Sequence, residues 1–133
     1  MRQTTSLFLA AVCMSATGCQ QIEKPTASIQ PAPNYVELTQ AQKSIVESGV
    51  RQSLKDPQSA QFGQMYASED GETITVCGLV NSKNSFGGYV GMKPFMGALV
   101  NDKFVPIGIG GPETETYAVM KVCHDKGLPV GQA

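Results

Sequence analysis

The dipeptides Asp70-Gly71 and Asn101-Asp102 each lie between short runs of apolar and β-branched residues, which commits the middle of the chain to antiparallel hairpins. Gln64 to Ser68 and Thr73 to Val80 read as strands around the first dipeptide. Met96 to Val100 and Lys103 to Ile107 read as strands around the second, and a further strand is predicted from Gly88 to Met92. Pro106 has no N–H to donate, so its strand belongs at a sheet edge. Within Thr73 to Val80, Ile74, Val76 and Val80 point one way while Thr73, Thr75, Cys77 and Leu79 point the other. Both faces are therefore partly covered.

Helical signals flank this β region. Thr39 followed by Gln42 fits a capping box, and Ala41, Ile45, Val46, Val50 and Leu54 recur at helical spacing, so a helix is predicted from Gln40 to Lys55. Gly49 weakens it, and Asp56-Pro57 ends it because the residue before proline is driven out of the α region. Thr116 to Cys123 carries β-branched residues, but its punctuation is helical: Pro112 suits a first position, Glu113 and Glu115 a first turn, Lys126 a last turn, and Gly127 and Pro129 a stop. The expected fold is α+β, a small antiparallel sheet of four or five strands with an N-terminal and a C-terminal helix packed on one face.

Composition narrows the function classes. Ten basic against eleven acidic side chains give a formal charge of −1, which supplies no field for nucleic acid. No apolar run reaches the length of about 18 residues that a spanning helix requires.

Residues 1–18 have the three-part layout of an export signal: Arg2 as the only charge, the apolar run Leu7 to Met14, then Ser15-Ala16-Thr17-Gly18. With Cys19 following, Ala16-Thr17-Gly18-Cys19 resembles the lipobox of a bacterial lipoprotein precursor. That resemblance implies lipidation of Cys19 and membrane attachment through the lipid. It also implies a place in the bacterial envelope facing the periplasm. Gln20, rather than Asp, after the cysteine resembles the pattern sent to the outer membrane. Each buried methylene adds about 0.8 kcal/mol of membrane affinity, so several acyl chains would make release slow. The alternative is an ordinary soluble-export signal cut near the same place.

Residues 19–37 contain Pro25, Pro31 and Pro33 among Gln, Ser, Thr and Ala, a composition that reads as a flexible linker spanning roughly 23 Å. The alternative is an N-terminal strand docked on the body through Tyr35 and Val36. Residues 38–133 are then one globular domain.

In an oxidising compartment, Cys77 and Cys123 are expected to form a disulfide. Metal binding by Cys77, Cys123 and His124 competes with that reading, but it offers too few ligands and places two of them side by side. A redox pair would be spaced Cys-x-x-Cys. No metal and no cofactor are expected.

The segment Asn81 to Phe95 combines glycines at positions 87, 88 and 91 with Phe86, Tyr89 and Phe95 and with Lys83, Lys93 and Asn84 as donors. It lacks the phosphate-loop and dinucleotide patterns. Phe86, Tyr89, Lys93 and Phe95 are the candidate partner-binding residues. The competing reading is a hairpin loop whose aromatics enter the core. Together with Leu54 to Phe62, the segment resembles short exported bacterial proteins and lipoproteins of uncharacterised activity, over roughly Leu54 to Phe95.

No catalytic residues are expected. His124 is the only histidine, and Glu69, Asp70 and Glu72 fall on a hairpin tip where water keeps carboxylates ordinary. The expected function is a small membrane-anchored envelope lipoprotein acting as a non-enzymatic binding or structural module for an envelope protein or cell-wall partner. The alternatives are a periplasmic inhibitor of a foreign enzyme such as lysozyme, and a cell-wall hydrolase.

Overall fold

Hairpin geometry sets the sheet. The structure, a computed structural model, describes residues 32–131; the leader 1–18, Cys19 and residues 20–31 lie outside the described residues. Strands β2 (Gln61–Asp70) and β3 (Thr73–Asn81) pair antiparallel, with Tyr66 opposite Cys77 and Asp70 opposite Thr73. Their connection is Gly71-Glu72, one residue later than expected, with a positive φ (+63°) at Gly71 alone. That is the backbone of a turn with glycine at its first central position. Strands β4 (Lys93–Val100) and β5 (Lys103–Ile109) meet at Asn101-Asp102, where φ values of 47° and 56° give the type I′ turn that matches strand twist. β5 is an edge strand, as Pro106 requires.

The fifth strand, β1 (Tyr35–Val36), corrects the expected linker boundary. Tyr35 lies opposite Ser68 and Val36 opposite Ala67 on the outer edge of β2. Asn34 fixes the pairing: its carbonyl accepts the Glu69 N–H at 2.9 Å, and its side-chain amide donates to the Glu69 carbonyl at 3.0 Å. The folded body therefore includes residues expected to lie in the 19–37 linker, and the strand alternative is the one observed. The sheet order is β1-β2-β3-β4-β5, antiparallel throughout.

The strand predicted over Gly88 to Met92 does not form. Tyr89 makes one isolated bridge to Lys83, and Gly87 and Gly91 adopt φ of +81° and +89°, which no continuing strand permits.

Helix α1 (Gln40–Gln52) starts with the capping box: Thr39 Oγ1 accepts the Gln42 N–H at 3.2 Å, and Gln42 Oε1 accepts the Thr39 N–H at 2.9 Å. It ends before the predicted Lys55, at Ser53, after which Leu54 packs on the core and Pro57–Ser59 forms a 3-10 turn. Gly49 is explained by contact, since a Cβ there would come within 2.7 Å of the Phe104 ring. Helix α2 (Glu113–Asp125) ends in a Schellman motif. Leu128 N–H donates to the Cys123 carbonyl and Gly127 N–H to the His124 carbonyl, with Gly127 at φ +71° and Leu128 fully buried.

The fold is α+β with one five-stranded antiparallel sheet and two helices, but the helices do not share a face. α1 contributes Val46 and Val50 to a core with Val76, Val80, Phe95 and Leu99. α2 contributes Val119 and Cys123 to a second core with Cys77 and Met96. Alternation along β3 and β4 sends Val76 and Phe95 to one side and Cys77 and Met96 to the other. A central sheet apolar on both faces needs cover on both, and one helix goes to each.

The disulfide fixes the second layer. Cys77 and Cys123 are bonded at 2.08 Å with Cα atoms 6.1 Å apart, and both are fully buried.

Candidate functional site

The connection from β3 to β4, residues 82–92, is the longest stretch without helix or strand among the described residues and is shaped by Asn81 and Asn84. Asn84 Oδ1 accepts the N–H groups of Phe86 (2.9 Å) and Gly88 (3.1 Å), while its carbonyl accepts from Gly87 (3.0 Å). Asn81 Oδ1 accepts the Gly91 N–H at 3.1 Å and closes the base of the loop. Lys83 N–H donates to Ser59 Oγ at 2.8 Å, tying the loop to the 3-10 turn after α1. The loop is held by its own hydrogen bonds, and its tip is apolar.

Phe86 stands 96% exposed at that tip. Tyr89, Val90 and Met92 are also exposed, giving a cluster of large apolar side chains on one segment. The Lys83 ammonium sits 5.5 Å from the Tyr89 ring centroid, and Tyr89 Oη accepts from Gln61 Nε2 at 3.4 Å. Lys93 is half-buried, its Nζ donating to the Gly111 carbonyl at 3.3 Å.

Phe95 does not belong to this surface. It is fully buried on β4, edge-on to Phe62 at 6.1 Å, because it falls on the strand position that faces the α1 core. Of the four candidates, the structure brings Phe86, Tyr89 and Lys93 to one loop region and removes Phe95.

Beside the loop runs a groove of about 360 Å³, with Leu54, Val90 and Ile109 on its apolar wall and the buried Val80 beneath it. Lys55, Lys83 and Lys93 line it from three segments: the bend that follows α1, the loop, and the start of β4. Sequence reasoning missed Lys55, Val90 and Met92. The exposure of Val90 and Met92 follows from the strand that fails to form. Lys55 reaches the groove only through tertiary folding, and nothing local in the sequence marks it.

The remaining chemistry-bearing residues are dispersed. Cys77 and Cys123 are oxidised and buried. His124 Nε2 lies 3.0 Å from the Val130 carbonyl, pinning the C-terminal turn. Glu69, Asp70 and Glu72 are exposed at the β2–β3 turn. Among the described residues no three His, Cys, Asp or Glu side chains converge as a metal would need, and no helix is long and apolar enough to cross a membrane.

In comparison with known proteins, the chain matches no family model, no curated protein and no solved structure, so the reading of this site rests on its own geometry and chemistry.

Proposed function

We propose that the chain is a lipid-anchored bacterial envelope protein, attached through Cys19 and facing the periplasm, most naturally from the outer membrane. In this reading it is a non-enzymatic module that offers the β3–β4 loop to an envelope protein or a cell-wall component. The observation that carries it is the loop itself: a tip braced by the Asn84 hydrogen bonds that holds Phe86 in solvent, with Tyr89 and Lys93 alongside. A preorganised apolar tip flanked by cations loses little entropy on docking.

The path of the chain supports this orientation. Tyr35 joins the sheet opposite Ser68, level with Thr75 and near the β2–β3 turn, whereas the β3–β4 loop leaves from the other end of β3 beyond Asn81, about 20 Å away at 3.3 Å per residue. The chain thus enters the body at the end of the sheet opposite the loop, so a tether on the N-terminal side of Tyr35 leaves the loop unobstructed.

A second reading, a periplasmic inhibitor of a foreign enzyme such as lysozyme, is favoured by one observation: an almost fully exposed aromatic, Phe86, at the tip of a braced loop suits insertion into a cleft. A lysozyme inhibition assay separates the two. The main test is a photo-crosslinking residue at position 86 in intact cells, combined with labelled palmitate. Crosslinks to a defined envelope component, lost when Tyr89 and Lys93 are both replaced by Ala, are expected. Failure of palmitate to enter the protein, with a Cys19→Ser variant fractionating like the parent, would remove the anchor.

A further inference from the structure

We infer that the groove beside the β3–β4 loop binds a carboxylate-bearing peptide segment, taking its acidic side chains on Lys83 and Lys93 and its apolar ones against Leu54, Val90 and Ile109. This rests on the reading of that loop as the binding face and names what it would hold.

The first argument is an unbalanced charge. Lys83 and Lys93 are half-buried and face one groove, yet the groups they meet are neutral: a tyrosine ring and a backbone carbonyl. The one ion pair among the described residues is Lys121 with Asp125, far along α2, and no carboxylate lines the groove. A chain in which acidic residues outnumber basic ones has nonetheless gathered three lysines along this groove, while the neighbouring acid, Glu115, abuts Gly111 at its rim and pairs with none of them. Lysines gathered along one groove with no acid paired to them make a positive face, and the group that complements it is an anion.

The second argument selects the kind of anion. A phosphate cradle needs free backbone N–H groups, but those of Lys83, Asn84, Phe86, Gly87, Gly88 and Gly91 are already donated within the protein. The cations of the groove are instead separated point charges on lysine stems beside an open apolar wall, which fits alternating acidic and apolar side chains.

The test uses the full chain and a fluorescein-labelled peptide of alternating glutamate and leucine, read by anisotropy. Its counterpart has glutamine in place of each glutamate. Binding of the glutamate peptide should exceed that of the glutamine peptide by about tenfold or more and weaken with added salt. It should fall by a similar factor in a Lys83→Gln/Lys93→Gln variant whose melting curve matches the parent. Equal binding of the two peptides, or an unaffected double variant, overturns the inference. So does millimolar inorganic phosphate displacing the peptide, or equal capture by phosphatidylglycerol vesicles. Concentration-dependent self-association abolished by replacing Glu69, Asp70 and Glu72 with Gln would assign the groove to a second copy and also overturn it. If position 86 still crosslinks an envelope component while the glutamate peptide fails, the loop reading survives and only the acidic ligand is lost. Peptide binding without any such crosslink does the opposite: the acidic ligand stands and the envelope partner at the loop tip is lost.

Discussion

Val76 and Cys77 are consecutive on β3, yet Val76 packs under α1 and Cys77 is bonded to α2 on the opposite side of the sheet. The disulfide is thus the fastener of one layer. Closing a loop with a sequence separation of 46 stabilises by roughly 4 kcal/mol on the chain-entropy argument. Reduction should lower the unfolding free energy by about that amount and strip hydrogen-exchange protection from Glu113–Asp125 before Gln40–Gln52. Mass mapping without reductant should show Cys77 joined to Cys123; free thiols at both positions would contradict the structure.

Two glycines should respond to alanine for different reasons. A Cβ on Gly97 would meet the Phe104 ring and stand 2.6 Å from the Val105 carbonyl oxygen, so Gly97→Ala must move backbone and should cost about 1–3 kcal/mol. Gly71 has open space around it but sits at φ +63°, so Gly71→Ala should cost about 1 kcal/mol from strain alone. Thermal melts should rank Gly97→Ala as the more damaging, with roughly 4–8 °C lost per kcal/mol.

The β4–β5 turn can be improved. Asp102 holds φ +56° without being glycine, and Asn-Gly is the favoured pair for this turn type. Asp102→Gly should raise stability by about 0.5 kcal/mol, the strain relieved slightly exceeding the added freedom of the unfolded chain. A lower melting temperature would show that the aspartate contributes something beyond its backbone conformation.

What the sequence made legible is what local chemistry decides. The capping box at Thr39 and Gln42, the helix stop at Gly127, the turn at Asn101-Asp102, the edge strand bearing Pro106 and the Cys77–Cys123 bond all follow from residues acting on near neighbours or from a count of remaining thiols. Placing the helices required weighing the two faces of β3, and Val76 and Cys77 already carried the answer: both sides were apolar. The boundary at Tyr35 stayed open between linker and strand because a two-residue strand has no periodicity, and its pairing is fixed by Asn34 reaching Glu69 across 35 positions. For the candidate site, the glycines pointed to the right loop. The mixture of aromatics there could not be sorted until the start of β4 at Lys93 set which way Phe95 faces.

That sorting gives the sharpest contrast in the molecule. Phe86 and Phe95 lie nine positions apart in one segment, 96% and 0% exposed respectively. Phe95→Ala should open a cavity against Phe62 and the α1 core and cost about 3–5 kcal/mol. Phe86→Ser removes no packing, and the Asn84 hydrogen bonds that shape the loop use the backbone N–H of residue 86, which serine retains. Its melting curve should therefore stay within about 0.5 kcal/mol of the parent while partner capture through the loop falls. Calorimetry of both variants, with capture measured on the Phe86 variant, checks the assignment. A stability loss at Phe86 comparable to that at Phe95 would place the tip in the core and leave the loop without an exposed anchor to offer.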